Sequence, residues 1–415
     1  MYSAVADNFF RIQNMLIHQR NVLQTSLVLY FLLSFDGVQG EMKLSKLEEL
    51  ALEKQLKLLN KPAVKTIKTE WGVTYDCVDF YKQLAFDHPA LKNHNFHPEM
   101  KPTLSTINQI SSTSTVDISS RKVLENGGCP SGTVPIKRVT RDDLIRQRRM
   151  PPPENTNNIL ETTGGYRRAI VHTPSDPNNK FAGAGMVASL WNPYVEGQQN
   201  SACRLKIQKG QDSMQVGWRV DPALYGNNHT MFFIHFQAGN VHCFNTLCPG
   251  FVIVNNDIYL DSEFEHITHR GDDQQWEFVM YIDRDLANGN WWLLIGDNQT
   301  AVGFWPPGIF TALANDFATN IEWGGVTYTP PGAPYPAMGS SFFPDQYQPD
   351  PSLDAYCRGL IVLDDKGVTI NANNTPIFID SRYLYHVTDE PNWGPGQFPH
   401  YMFYGGPETK YVPPL

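Results

Sequence analysis

From residue 166 onward the chain is written in short period-two stretches, each closed by Gly, Pro, Asn or Asp, and this texture limits the fold more than any other feature. Segments 182–191, 214–220, 231–237, 276–282 and 291–295 either alternate apolar with polar residues or run apolar throughout, as strands half or wholly buried in a sheet do. Turns at this spacing predict a mainly β fold, an antiparallel, jelly-roll-like β-sandwich, with a closed barrel as the alternative. With 18% charged residues, 31 Gly and 30 Pro, composition also favours strands joined by turns over a helical bundle. At 415 residues the chain exceeds what one core usually holds, so two folded units with accessory segments are expected.

Residues 22–35 are mostly apolar, follow Arg11 and Arg20, and end in Val38-Gln39-Gly40. That is the form of a signal peptide over residues 1–40, and it predicts secretion. Spanning a bilayer takes about 20 apolar residues and Asp36 interrupts the run, so no stable membrane anchor is expected. Ser45-Lys46-Leu47-Glu48 has the form of a capping box, and Leu47, Leu50, Ala51 and Leu58 continue a helical stripe until Pro62. Residues 103–120, rich in Ser and Thr, read as a loop. The charged run from Arg141 to Arg149, followed by Pro151-Pro152-Pro153, reads as a linker. The expected division is therefore a small α+β unit over 41–150, a proline-rich connection over 151–165, and the sandwich over 166–415.

A net charge of −9 with no basic stripe argues against nucleic acid as a partner. No G-x-S-x-G elbow, P-loop or G-x-G-x-x-G unit is present, and no cofactor is expected. Of six cysteines, Cys243 and Cys248 are close enough to staple one loop, and Cys77 and Cys129 are left to pair in the N-terminal part. Cys203 and Cys357 remain by elimination, a pairing that needs Cα atoms within about 7 Å. Zinc is the competing reading for Cys243 and Cys248, but there is neither a second Cys pair at zinc spacing nor an H-E-x-x-H. Sequons at Asn228, Asn298 and Asn373 fit a secretory route. His229, His235, His242, His266 and His269 read as strand or loop residues rather than metal ligands.

Two stretches carry candidate chemistry, Met214-Gln215-Val216-Gly217-Trp218 and Asn320-Ile321-Glu322-Trp323-Gly324-Gly325. As strands, they send Gln215, Gly217 and Arg219 to the face opposite Val216 and Trp218, and Glu322 opposite Ile321 and Trp323. Were the two strands neighbours in one concave sheet, Gln215 and Glu322 would share a groove. Trp218 and Trp323 fit the core beneath, or alternatively the groove wall; with Arg219 they are the substrate-groove candidates. A carboxylate that takes a proton from water and an amide that donates to the resulting oxyanion suffice for peptide hydrolysis without a metal.

Longer motifs carry a resemblance. Residues 75–83 (Tyr75-Asp76-Cys77 through Gln83), residues 86–94 (Phe86-Asp87-His88-Pro89 onward) and Cys129-Pro130-Ser131-Gly132-Thr133 resemble the activation peptide of the plant neprosin family. The Gln215-Val216-Gly217-Trp218 stretch, Leu224-Tyr225-Gly226, residues 243–250, Gly289-Asn290-Trp291-Trp292, Gly303-Phe304-Trp305-Pro306 and Glu322-Trp323-Gly324-Gly325 are similar to its catalytic domain in order and spacing. The resemblance implies a β-sandwich glutamic peptidase, made as a zymogen, active in acid and cutting peptide or protein substrates after proline. It makes the chain's own activation peptide an intramolecular inhibitor; the secreted protein is expected outside the cell, in the cell wall or in the vacuole, and the sequence leaves these open. The family's second catalytic glutamate falls on Glu322; the first falls on Gln215, a departure. Gln215 with Glu322 is similar to the Gln/Glu dyad of the eqolisins, in which the glutamate handles protons and the amide serves the oxyanion. The alternative is an inactive extracellular sandwich binding cell-wall polysaccharide or protein.

Overall fold

The structure is a computed structural model and describes residues 46–69, 72–103, 128–154 and 164–407. The expected signal segment, nearly all of the Ser/Thr-rich stretch and most of the connection at 151–165 lie outside the described residues. Two compact units divide at residues 54 and 55.

The described part of the first unit belongs to helix α1 (Lys46–Leu59). Glu48 and Glu49 lie in its first turn and Lys57 in its last, which suits the helix dipole. Its buried positions are Leu52 and Leu59, seven apart, whereas Leu47, Leu50, Ala51 and Leu58 are exposed, so the expected apolar stripe is displaced. No described helix is long and apolar enough to cross a membrane.

The second unit is mainly β and antiparallel. It opens with strands β1 (Ala63–Lys68), β2 (Thr74–Asp79) and β3 (Thr133–Lys137), which form one small sheet in that order and are tied by the Cys77–Cys129 disulfide. Helix α2 (Arg141–Gln147) follows, capped by Thr140 and Asp143 in a reciprocal box. The run from Arg141 to Gln147 is thus a helix rather than the start of a linker, because Thr140 and Asp143 together satisfy its first backbone donors.

Seventeen further strands follow among the described residues: β4 (Gly165–His172), β5 (Gly183–Ser189), β6 (Asn200–Lys209), β7 (Asp212–Val220), β8 (Met231–Ala238) and β9 (Val241–Phe244). Next come β10 (Val252–Ile253), β11 (Glu277–Arg284), β12 (Trp291–Ile295), β13 (Thr300–Trp305), β14 (Asn320–Thr329) and β15 (Met338–Gly339). The last are β16 (Ala355–Leu363), β17 (Thr369–Asn371), β18 (Ile377–Ile379), β19 (His386–Glu390) and β20 (Tyr401–Gly406). One sheet runs β18-β4-β14-β6-β7-β8-β9; the other runs β10-β13-β12-β11-β5-β16-β20-β15, with β17 on β16 and β19 on β20. Neither closes into a barrel.

The two sheets bury one core between them. Leu205, Ile207, Val216, Trp218, Ile321 and Trp323 enter it from the seven-stranded sheet. Indole Nε1 of Trp218 donates to the Ser189 carbonyl at 2.9 Å and that of Trp323 to Gly185 at 3.2 Å, so each ring's polar edge finds a partner on β5. Both tryptophans are 0% exposed. The expectation that they wall a groove is corrected: alternation along β7 and β14 puts them on the sheet's reverse side.

Cys243–Cys248 closes the loop after β9. Cys203 and Cys357, expected as a third pair, face each other from opposite sheets with Sγ atoms 3.2 Å apart, but are free thiols. The pairing is corrected in bonding and met in position. Asn228, Asn298 and Asn373 all lie exposed between secondary elements.

Residues between Gln83 and Phe96 contact the β10–β13 edge. The Gln83 side chain acts like an added peptide unit: its Oε1 accepts from Ile253 N at 2.8 Å and its Nε2 donates to Ile253 O at 3.1 Å. Phe86, His94, Phe96 and Phe304 follow as a chain of ring contacts. Farther along, Cys129 and Asn256 exchange hydrogen bonds, Cys129 N to Asn256 O and Asn256 Nδ2 to Cys129 O.

Candidate active site

The outer face of the seven-stranded sheet carries one cross-strand row, His172–Glu322–Lys206–Gln215–His235–Phe244, in which each residue is the register partner of the next. Glu322 and Gln215 therefore share a face, as the alternation of their strands predicts. Their strands are not neighbours, however: β6 lies between β14 and β7 and contributes Lys206 to the row.

One step along, Arg204 is flanked in register by Gly324 and Gly217. Neither neighbour puts a side chain beside the guanidinium. A Cβ at position 217 would lie 1.9 Å from the Cys203 carbonyl oxygen, and Gly324 holds φ +126°, so both motif glycines are required by the backbone as well. Arg204 is 0% exposed. Its Nη1 donates to Glu322 at 2.9 Å and its Nη2 donates to both oxygens of Glu154, at 2.7 and 2.9 Å. Lys206 Nζ stands 3.7 Å from Glu322, and Asn320 Nδ2 donates to its other oxygen at 3.3 Å.

These cations decide the ionisation of Glu322. Burial is the largest single influence and favours the neutral acid, but Lys206, Arg204 and Arg168 together outweigh it and hold the carboxyl at about 2. Glu154 is likewise held below its ordinary value: burial raises it, and Arg204, Lys206 and Arg168 override burial and the opposing charge of Glu322. His235 is pushed well below the usual histidine value, first by burial and then by His242 and the nearby cations. It stays neutral at ordinary pH, and its Nδ1 is buried without a partner.

Beside the row is a cavity of about 210 Å³, walled by Gln215, Arg219, His235, His242 and Phe244 and covered by Met150, Pro151, Pro153 and Glu154. Met150, Pro151, Pro153 and Glu154 thus line the same cavity as Gln215, and Glu154 reaches Arg204 beside it. Arg219 lines the cavity, in keeping with its place among the groove candidates, and its Nε donates to Asp221 at 2.7 Å. Arg204, Lys206, Glu154 and the pair His235 and His242 are site residues that sequence reasoning missed. The signal for the first two was present in Ala202-Cys203-Arg204-Leu205-Lys206-Ile207, where cations alternate with core residues at period two. Among the described residues no three His, Cys, Asp or Glu side chains are grouped as a metal site requires.

The neprosin family matches residues 197–407, and the neprosin activation peptide matches residues 66–176. The chain belongs to the neprosin family. Its activation-peptide match runs through residues 150–154, the neprosin segment that helps to line the cavity. Similarity to solved structures is slight. Scytalido-glutamic peptidase with a peptide-based transition-state analogue is 9% identical over 59% of this chain and 98% of that one, with a TM-score of 0.32. The same peptidase with a transition-state analogue inhibitor gives 9%, 60%, 99% and 0.33. SCP-B, a member of the eqolisin family of peptidases, in complex with the tripeptide Ala-Ile-His, gives 8%, 59%, 98% and 0.32.

Proposed function

We propose that this neprosin-family chain is the precursor of a secreted glutamic endopeptidase that works in acid and prefers to cut after proline. The observation that carries the reading is the row Glu322–Lys206–Gln215 beside a groove covered by the chain's own activation region. Glu322, ionised, takes a proton from water as the water oxygen attacks the scissile carbonyl. Gln215 orients that water and donates its amide to the oxyanion. Glu322 then returns the proton to the departing nitrogen as the C–N bond breaks. A cut within residues 146–153 would free the groove and leave a mature chain starting near residue 154; Arg148 and Arg149 are exposed, which favours such a cut.

A second reading has an observation in its favour. With Arg204 and Lys206 on it, Glu322 resists the protonation that the second half of the cycle requires. A non-catalytic extracellular sandwich that binds polysaccharide or protein would have this resting carboxylate. The test is to expose the secreted precursor to about pH 3–5 and follow a proline-containing peptide library by mass spectrometry, beside Glu322→Gln. Cleavage by the parent alone supports the peptidase. Cleavage by neither, with activity gained in Gln215→Glu, means the chain has lost its family's chemistry.

A further inference from the structure

The groove is charged in a way that the row does not explain. Four cations, Arg168, Arg204, Lys206 and Arg219, stand on this face, against three sheet-borne or adjoining carboxylates: Asp380 on Arg168, Glu322 on Arg204 and Lys206, and Asp221 on Arg219. The fourth carboxylate comes from the covering segment: Glu154 grips Arg204 with both oxygens, and its Oε1 is 4.0 Å from Arg168 Nε. Two guanidinium nitrogens, Arg204 Nε and Arg219 Nη2, are buried with no acceptor even so. Buried polar groups need partners, and Arg204, paired with Glu322 through Nη1, has its Nη2 side met by Glu154. Glu154 supplies that partner in the uncut chain, where the residues leading to it are Pro151-Pro152-Pro153, two of whose prolines wall the cavity.

We propose that Arg204 and Arg168 form a carboxylate-binding subsite, and that the ligand of the uncovered groove is a proline-rich peptide bearing an acidic group directly after proline. On this view the segment Pro153-Glu154 lies in the groove as a tethered copy of that ligand. The inference rests on the peptide-processing reading of the same groove and narrows its substrate to acidic, proline-containing sequences. The carboxylate that Glu154 mimics has two sources in a free peptide, an Asp or Glu side chain or a chain terminus.

Calorimetry on the full chain carrying Glu154→Gln separates them. The probes are acetyl-Pro-Pro-Pro-Glu-Gly-amide, its Gln counterpart and acetyl-Pro-Pro-Pro with a free C-terminal carboxylate, titrated at pH 6. Glu154→Gln keeps the size of a partly exposed side chain, so the variant is expected to fold. A charge-assisted pair is worth about 1.5–3 kcal/mol, so the Glu peptide should bind roughly tenfold or more tightly than the Gln peptide. Arg168→Gln added to the same variant should shrink that ratio, and the unaltered chain should bind the Glu peptide more weakly because its own Glu154 competes. Tight binding of the free-carboxylate peptide alone keeps the subsite and assigns it to chain termini. Equal affinities for the Glu and Gln peptides overturn the subsite. Calorimetry reads binding and the peptide-library assay reads cleavage, so a failure of this subsite and a failure of the peptidase reading are told apart.

Discussion

Glu322 and Gln215 stand on opposite sides of Lys206, each its direct register partner, so a full strand separates the two residues of the proposed dyad. With strands about 4.8 Å apart, their backbones are roughly 10 Å from each other and the side chains must converge over the lysine. A reacting group between them would meet the ammonium. Lys206 is also the largest of the charges that lower the Glu322 pKa. Lys206→Met should therefore raise that pKa and move the acidic limb of the pH–rate profile upward by about one unit. An unmoved limb would mean that Lys206 does not touch the proton-handling group.

Arg204→Met leaves Glu322 and Glu154 buried without their shared guanidinium. Breaking a buried pair in this way costs about 3–5 kcal/mol at pH 7. Glu322, depressed to about 2 from an ordinary 4.5, contributes stability that is present above 4.5 and lost as pH falls toward 2. The variant lacks that contribution, so its deficit should narrow across this window. Denaturant midpoints at pH 7 and pH 3 would check it, and a deficit of equal size at both would exclude the electrostatic cause.

Asp261 works in the opposite direction. It is buried beside Asn245 and Tyr225, and burial above all pushes its carboxyl up to about 6, Lys137 opposing and Asp143 assisting. Its folded value lies above its unfolded one. The stability it contributes is thus complete below about 3.8 and lost as pH rises through 6, a difference of about 3 kcal/mol. Asp261→Asn should flatten this part of the stability profile between pH 4 and 6 and stabilise the protein at pH 7. Asn also tolerates the φ of 63° at this position. A slope unchanged from the parent would acquit Asp261.

The thiols of Cys203 and Cys357 are buried, and burial first, then the neighbouring sulfur, raises Cys357 well above the usual thiol value. A protonated, enclosed thiol reacts slowly. A thiol reagent should find none in the native protein and two after unfolding without reductant. Finding none after unfolding would mean the two sulfurs are joined.

How much of this was legible beforehand varied with how far each feature depended on local pattern. Period-two stretches located β5, β7, β8, β11 and β12 closely, because a strand buried on one or both faces must repeat at two. They also put Gln215 and Glu322 on the right faces of their own strands. What they could not supply was the order of strands, since β6, β7 and β14 meet through turns and long connections that leave no trace in either strand's pattern. The segment carrying Arg204 and Lys206 was passed over for a related reason. Two cations inside a buried strand look like a solvated edge until the partners that neutralise them, one of them 118 positions away in Glu322, are brought alongside. Trp218 and Trp323 show the converse: alternation alone favoured the core, and the indole bonds to β5 are what it had no means of predicting.

The Gln83 clamp on Ile253 bears on what the proposed cut would do to the chain. Strand β10 ends its sheet, and the glutamine side chain is what occupies the Ile253 backbone donor and acceptor. Loss of the segment bearing Gln83 would leave an open border with a bare amide and carbonyl, the feature through which β proteins stick to one another. The segment bearing Gln83 would then act as a guard against self-association, and light scattering should rise once it is removed.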